Sequence, residues 1–425
     1  MTKVITYGTY DLLHYGHIKL LERAKALGDY LIVGITSDDY DKTRGKINNQ
    51  QTLMERVAAV RATGLADEII VEEYDGQKID DILKYHIDIF TVGSDWVGKF
   101  DYLKEYCKVV YLPRTEGVSS SKLRAERRKI KICVIGDLGI GKRFEDEAKF
   151  VDGITLCPYE PSLEHVDAVF VATPSAEHYD TVKTALEKGK HVLCESPVTL
   201  SIQQYHELTD LAKHKGLILA EAIKTAYATA FSRMLLIAKS GRIGSIVSVD
   251  ATCTSLKGGA GEVGANLFGR QNSICAWGPT AMLPVFQLLG TCYREKRIVT
   301  KFLNEEILFD AFTKIDFLYD NAVASVKVAK ASKSEGELII TGTKGYIYVP
   351  APWWKTDYFE VRFEDPTSNK RFFYQLDGDG IRYEIVAFAK AIEGGRRDCT
   401  ISEETSESII RVLEDYHNRQ YQTIS

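Results

Sequence analysis

A strand–helix alternation that starts over in mid-chain is what most restricts the folds open to this sequence. Apolar runs at 4–7, 30–35, 68–71, 89–92 and 109–112 read as strands, and 18–27, 52–62, 77–85 and 120–128 carry helical patterns. Strands joined through helices form a parallel sheet covered on both faces. At 130–136 the string I-K-I-C-V-I-G reads as a new first strand, which marks a domain boundary near residue 128. A second alternation runs to about 222, with strands at 168–172, 191–194 and 217–220. Beyond it, β-type segments at 246–252, 315–318, 322–328, 337–341 and 359–363 point to an antiparallel sheet with flanking helices, an α+β unit. The expected division is 1–127, 128–222 and 223–425, in line with the two to three domains that 425 residues allow at about 150 each. The basic run Lys122, Arg124, Arg127, Arg128, Lys129 and Lys131 is expected as a solvated helix end and linker rather than an anion-binding patch.

The first strand–helix junction reads G-T-Y-D-L-L-H-Y-G-H at 8–17. Two histidines at i and i+3 can face the same way at a helix start, where first-turn N–H groups offer an anion site. Gly16 between His14 and His17 removes a side chain where a nucleotide would approach. Two imidazoles there can hydrogen-bond phosphate oxygens as negative charge builds in a transition state. A lone histidine at such a place is more simply a helix cap. The paired arrangement points to phosphate chemistry.

These ten residues resemble the H-x-G-H signature of the cytidylyltransferases, and within them the glycerol-3-phosphate cytidylyltransferase family. The similarity continues through L-L-E-R-A-K at 20–25, V-G-S-D-W-V-G-K-F-D at 92–101 and Y-L-P-R-T-E-G-V-S-S-S at 111–121, in the family's order. The resemblance implies a Rossmann-like nucleotidyltransferase domain. There CTP and glycerol phosphate would give CDP-glycerol and pyrophosphate by in-line attack, without a covalent enzyme intermediate. It further implies His14, His17, Arg114 and Lys78 as the catalytic set. Thr9, Tyr10, Asp11, Gly16, Lys46, Arg56, Asp95, Thr115 and Ser120 would contact the nucleotide and phosphates. Lys46, Arg56 and Lys78 lie where the family places cations around the triphosphate and the acceptor phosphate. Arg114 suits its place because a guanidinium can clamp phosphate oxygens with two bonds. Asp11 is the expected helper of a Mg²⁺ that CTP itself brings. A part in teichoic-acid or capsular polymer synthesis would follow from a CDP-polyol product.

Residues 131–425 resemble the Gfo/Idh/MocA oxidoreductases, which join a Rossmann domain to an α+β domain with an open, mainly antiparallel sheet. The resembling stretches are A-V-F-V-A-T-P at 168–174, G-K-H-V-L-C-E-S-P at 189–197, S-G-R-I-G-S-I-V-S-V at 240–249 and G-T-K-G-Y-I at 342–347. If NAD(P) binds, the resemblance places Gly136, Gly139, Gly141, Thr173, Pro174 and Glu195 against it.

Three departures lead us to expect that NAD(P) is not used. A dinucleotide turn needs G-x-G-x-x-G; here Gly136-Asp137-Leu138-Gly139-Ile140-Gly141 has Leu138 at the middle position. Gly136 and Thr173 are 37 positions apart, which leaves little room for two further βα units, so this Rossmann domain is expected to be truncated. Glu160 stands where a ribose-binding acid could sit, and an exposed glutamate is the simpler reading. The family's E-K-P lysine is Ser196, and neither register of D-x-G-x-H around 276–284 supplies an acid–base pair (Ala276 and Thr280, or Pro279 and Leu283). Hydride transfer to a carbonyl needs a proton partner, worth about 100- to 10,000-fold in rate.

The formal net charge of −5 makes a general nucleic-acid binder a poor reading. No apolar run approaches the roughly 18 residues of a membrane span. The eight cysteines are scattered without a C-x-x-C pair, which argues against structural zinc and disulfides and for reduced thiols in the cytoplasm. The N-terminal M-T-K-V-I-T-Y enters a strand pattern directly, unlike a signal peptide. The expected function is a cytidylyltransferase whose second half serves assembly or regulation, in a homo-oligomer. Trp353, Trp354 and Tyr358 read as core aromatics by default and as part of a subunit face otherwise. One alternative is a bifunctional enzyme whose second half reduces a keto precursor to supply the polyol phosphate. Another, a non-catalytic scaffold, sits badly with the intact H-x-G-H and R-T-E-G-V-S-S-S strings.

Overall fold

The computed structural model describes residues 1–113, 115, 129–136, 139–256, 271–306, 308–394 and 400–424. The expected helix 120–128, most of the basic run, Arg114 and Ser120 lie outside the described residues. The chain divides into two compact units, Met1–Lys129 and Ile130–Ser425.

In the first unit β1 (Lys3–Gly8), β2 (Tyr30–Thr36), β3 (Glu68–Glu72), β4 (Ile89–Gly93) and β5 (Lys108–Leu112) form one parallel sheet in the order β3-β2-β1-β4-β5. Helices α1 (Tyr15–Lys25), α2 (Asp38–Thr43), α3 (Leu53–Ala62) and α4 (Gln77–Tyr85) connect the strands. Successive residues of a strand point to opposite faces. Val4 accordingly packs with Leu21, Leu31 and Val60, while its neighbour Ile5 packs with Ile82, Phe90 and Leu103 on the other side. A reciprocal capping box, Thr52 with Glu55, starts α3. Helix α1 begins three residues before the expected position because His14 caps it. The strand order reverses between β1 and β4. Such a reversal opens a crevice beyond the carboxyl ends of those strands, where doubly wound sheets hold their ligands.

The second unit begins with another parallel sheet. Its strands β6 (Ile130–Ile135), β7 (Ile154–Leu156), β8 (Ala168–Val171), β9 (His191–Glu195) and β10 (Leu219–Ala222) lie in the order β10-β9-β8-β6-β7. Among the described residues only β7 intervenes between β6 and β8, so the half-sheet that would complete a dinucleotide fold stops after one strand.

A nine-stranded sheet follows, from β11 (Ile246–Thr254), β12 (Glu295–Asn304), β13 (Phe309–Leu318), β14 (Val323–Ala329), β15 (Leu338–Gly342), β16 (Gly345–Val349), β17 (Tyr358–Phe363), β18 (Lys370–Phe373) and β19 (Gln422–Thr423). The β11–β14 and β12–β19 pairs are parallel and the others antiparallel. The helix Ser273–Leu289 packs on β11, β13 and β14. Ion pairs Arg143–Asp379, at 2.6 Å, and Arg382–Glu147 tie the helix Gly139–Ala148 to the helix Ile381–Gly394 and the segment just before it. Trp353 is 1% exposed and donates its indole N–H to the Thr252 carbonyl at 3.0 Å, which makes it a core residue. No helix among the described residues is long and apolar enough to cross a membrane.

Candidate active site

The loop between β1 and α1 is a tight construction. Tyr10 and Leu12 take left-handed backbone conformations, φ 55° and 47°. A non-glycine residue pays about 1–2 kcal/mol for this, so the surroundings must hold it. Tyr10 is 1% exposed, and a Cβ on Gly8 would come within 2.9 Å of its ring. The Leu12 N–H donates to Gln51 Oε1 at 2.7 Å. Asp11, 2% exposed, accepts from the backbone N–H groups of Gln50 and Gln51 at 2.9–3.2 Å. The structure therefore gives Asp11 the task of pinning the 50–51 loop, and a Mg²⁺ ion would compete with those bonds for its oxygens. Among the described residues no three His, Cys, Asp or Glu side chains gather into a metal site.

This turn delivers the two histidines. His14 is the N-cap of α1, and its Nδ1 accepts from the Gly16 N–H at 3.1 Å. A neutral ring that accepts at Nδ1 carries its proton at Nε2, which makes Nε2 a donor. Burial lowers the His14 pKa below its ordinary value and favours that neutral form. The His17 ring stacks on His14, with centroids 3.9 Å apart and planes at 18°, and meets Tyr10 edge-on. His17, Thr9, Tyr10 and Asp11 line a crevice of about 500 Å³ that also reaches Lys46, Asp95 and Trp96. It spans the ends of β1 and β4, where the strand order reverses.

The cations divide into two sorts. Lys46 borders the crevice, donates to Thr9 Oγ1 at 3.1 Å and lies 5.8 Å from the Trp96 ring. Arg56 is fully buried behind it. Its guanidinium donates to the Thr9 and Thr36 carbonyls at 2.7 and 2.8 Å and pairs with Asp38 and Asp41. Arg56 thus positions Thr9 rather than lining the crevice. Lys78 is also buried, paired with Glu72 and 4.7 Å from the Tyr7 ring; Tyr7 in turn donates to Asp81 at 2.8 Å. Asp95 is exposed and Thr115 half-buried.

Sequence reasoning missed Asp41. It is fully buried and accepts from Thr9 Oγ1 at 3.0 Å, from Asn49 Nδ2 at 2.8 Å and from Arg44 at 2.9 Å. Nothing in D-D-Y-D at 38–41 separates it from the surface acids beside it.

The second unit has its own reversal, between β6 and β8. Gly136 and Gly141 serve packing: a Cβ would meet the Ala172 carbonyl at 2.4 Å or Val134 at 2.9 Å. Leu138 lies outside the described residues. Beyond Gly139 the helix presents Phe144, stacked on Phe170 at 4.1 Å with planes at 7°. His178 lies fully buried between the carbonyls of Thr173 and Pro197, at 2.8 and 2.7 Å, and fixes the stretch that includes Pro174. Glu160 after β7 is exposed and 3.4 Å from His165. These residues offer a dinucleotide the packing glycines of its turn and no buried acid after β7, so they fit the cofactor only in part. Ser196, in the lysine position of E-K-P, donates to buried Glu221. Ala276, Pro279 and Thr280 line the same recess as Ser196 and Glu195.

Comparison with known proteins matches this division. Residues 5–126 match the cytidylyltransferase-like family, and residues 140–223 match the oxidoreductase family with an NAD-binding Rossmann fold. Glycerol-3-phosphate cytidylyltransferase of Bacillus spizizenii is 52% identical over 126 residues, 30% of this chain and 97% of that protein. The Staphylococcus aureus protein of the same name is 47% identical, over 30% of this chain and 95% of its own length. Among solved structures, KijD10, a 3-ketoreductase from Actinomadura kijaniata in complex with NADP and TDP-benzene, aligns with a TM-score of 0.58 at 20% identity. That alignment covers 70% of this chain and 99% of KijD10. An inositol dehydrogenase homolog from Azotobacter vinelandii, complexed with NAD⁺, aligns with a TM-score of 0.60 at 14% identity, over 68% and 94% of the two chains. Identities this low speak for the fold alone. The chain is a cytidylyltransferase that belongs, through its first unit, to the glycerol-3-phosphate cytidylyltransferase family, joined to an oxidoreductase domain of the Gfo/Idh/MocA type.

Proposed function

We propose that residues 1–127 join CTP and glycerol phosphate, or a related small polyol phosphate, into CDP-glycerol and pyrophosphate. An oxygen of the acceptor phosphate attacks the α-phosphorus, the bond to the β-phosphate oxygen breaks, and pyrophosphate leaves with the electron pair. Such transfers depend on positioning and charge stabilisation more than on covalent chemistry. The observation that carries the reading is the stacked His14–His17 pair at the mouth of the β1–α1 turn. His14 Nε2 and the His17 ring are the groups proposed to bond the α-phosphate as its charge grows, with Lys46 beside them; the resemblance adds Arg114 to the catalytic set. Mg²⁺ would arrive with the nucleotide, as counter-charge to the phosphates.

We infer that residues 128–222 and 223–425 form two further domains that serve assembly or regulation in a cytoplasmic homo-oligomer, without hydride transfer. Ser196, the aromatic stack Phe144–Phe170 and the exposed Glu160 support this reading. An active reductase that supplies the polyol phosphate is the second reading, favoured by the likeness in fold to dehydrogenases.

Pyrophosphate release with CTP, ATP, GTP and UTP against a panel of polyol phosphates tests the first proposal. CTP should lead, and His17→Ala should lose about 100- to 1000-fold in turnover while staying folded. NAD(P)H titration followed by cofactor fluorescence tests the second. Saturable binding with turnover of a keto substrate would overturn it.

A further inference from the structure

The crevice wall that carries Lys46 begins at the end of a short helix, and Asp41 takes part in most of its fastenings. Helix α2 stops in a Schellman turn. The Gly45 N–H donates to the Lys42 carbonyl at 3.0 Å, and the Lys46 N–H donates to the Asp41 carbonyl at 2.9 Å. Gly45 supplies the left-handed conformation that this turn needs, φ 74°. Residues 45–49 then run along the crevice.

Asp41 holds Lys46 at both ends. Its carbonyl fixes the Lys46 backbone. Its Oδ1 accepts from Thr9 Oγ1 at 3.0 Å, and Thr9 Oγ1 in turn accepts from Lys46 Nζ at 3.1 Å. A hydroxyl has one proton to give. Because Thr9 gives it to Asp41, its lone pairs are left for the ammonium. The carboxylate thus sets the direction of the Thr9 hydroxyl, and the hydroxyl sets the place of Lys46 Nζ. The other bonds of Asp41 fasten the same wall. Oδ1 also accepts from Arg44 at 2.9 Å, and Oδ2 accepts from Asn49 Nδ2 at 2.8 Å, with Arg56 3.7 Å away. Asp41 is fully buried, where such bonds are stronger than in water.

We propose that Asp41 is a positioning residue for Lys46: it holds the ammonium at the crevice for the substrate phosphates without touching a substrate itself. This rests on the cytidylyltransferase reading of the crevice. Both substrates carry negative charge before the reaction begins. An ammonium placed for them therefore acts mainly on binding, and its loss falls on KM. The His14–His17 pair acts on charge that grows during the reaction, and its loss falls on kcat.

The test measures pyrophosphate release by the full chain, with CTP and glycerol 3-phosphate varied in turn. It compares Asp41→Ala, Lys46→Ala and the double variant. Each single variant should raise KM about 10- to 100-fold, the worth of a hydrogen bond to a charged group, with a smaller fall in kcat. The double variant should be no worse than Lys46→Ala, because a residue that acts through Lys46 then has nothing left to position. Asp41→Asn should recover most of the loss. Its Oδ1 still accepts from Thr9 and Arg44, and Asn49 can turn its amide to meet the new Nδ2. Urea unfolding checks that each variant is folded. If Asp41→Ala melts early, Thr9→Val breaks the same bridge, leaves the Arg56 contact in place and enters the cycle instead. Additive losses in KM, or a loss confined to kcat, would overturn the proposal in an active parent. A parent that releases no pyrophosphate from CTP would overturn the nucleotide reading and the proposal with it.

Discussion

His14 has one task in the fold and a second that we propose in the reaction, and one substitution tells them apart. Its Nδ1 caps α1 through the Gly16 N–H, and the neutral ring carries its proton at Nε2, the atom proposed to meet the phosphate. Loss of an N-cap costs about 1 kcal/mol. Loss of one preorganised donor to a transition-state oxyanion costs about 2.7–4 kcal/mol, 100- to 1000-fold in turnover. Asparagine can replace the cap but cannot reach as the imidazole does. His14→Ala should therefore lose both stability and turnover, and His14→Asn turnover alone. Urea unfolding of each variant reads the first term, and pyrophosphate release at saturating CTP reads the second. The pH dependence has a fixed sign. The native pKa of His14 lies below its ordinary 6.5, so its contribution to stability is fully present above about 6.5 and is lost as pH falls through the native value. Protonation at Nδ1 removes the cap's acceptor, which gives the same direction. His14→Asn should remove that acid-side slope. Turnover within about threefold of the parent in His14→Asn would refute the catalytic assignment, because a donor worth 2.7 kcal/mol cannot be lost so cheaply.

Arg56→Lys keeps the charge but loses the fork that holds Thr9, Thr36, Asp38 and Asp41; it should destabilise the chain by about 1–3 kcal/mol and lower turnover through Thr9, with a larger loss, about 3–5 kcal/mol, in Arg56→Ala. Chemical unfolding measures both, and full stability in Arg56→Ala would contradict the buried-clamp account. Lys78→Met leaves Glu72 buried without its cation and should cost about 3 kcal/mol or more, while adding Glu72→Gln should restore much of that stability. If turnover returns with stability in the double variant, Lys78 supports the fold and not the reaction. Asp310 accepts the N–H groups of Ser273 and Ile274 and is raised to about 6 by burial. Its contribution is fully present below about 4 and is lost as pH rises through 6. Asp310→Asn should therefore gain on the parent between pH 4 and pH 7 in urea midpoints, and an equal difference at both would reject the assignment.

The parallel sheet of the first unit could be read closely from sequence because its strands are buried on both faces and appear as apolar runs. The expected 30–35 and 68–71 became Tyr30–Thr36 and Glu68–Glu72. The six-residue helix α2 was not expected, since it is shorter than two turns and carries no apolar stripe. The helix Ser273–Leu289 contains Pro279 and Pro284, which in sequence argue against a helix. Its burial against the nine-stranded sheet outweighs the two lost backbone bonds. The histidine pair was legible because local spacing sets its geometry. Arg56 was not: periodicity places it on α3, but only the fold shows that its guanidinium turns inward to four oxygen partners. The same limit hid Asp41. The partners of both come from distant segments, which spacing does not encode.

The two parallel sheets solve one topological problem in opposite ways. Each reverses its strand order beside its first strand, and each could open a ligand crevice there. In the first, strained Tyr10 and Leu12 turn the chain so that the His17 imidazole, stacked on His14, borders about 500 Å³. The strain is sustained by Tyr10 burial, Gln51 and the Asp11 bonds, as expected where a fold spends stability on a working site. In the second, the glycines are retained where β8 and the helix press against them, and a phenylalanine stack lies beside a recess of about 140 Å³. Packing glycines persist because any side chain there breaks the fold, whatever the ligand. Their presence is therefore weak testimony for a bound dinucleotide, while Ser196, in the lysine position of E-K-P, is the informative position. Restoring lysine at 196 alone should then leave keto-substrate reduction undetectable, because the vacancy it fills is only one of several changes around the same recess. Measurable NAD(P)H oxidation by Ser196→Lys would show that the rest of the reductase site had been intact.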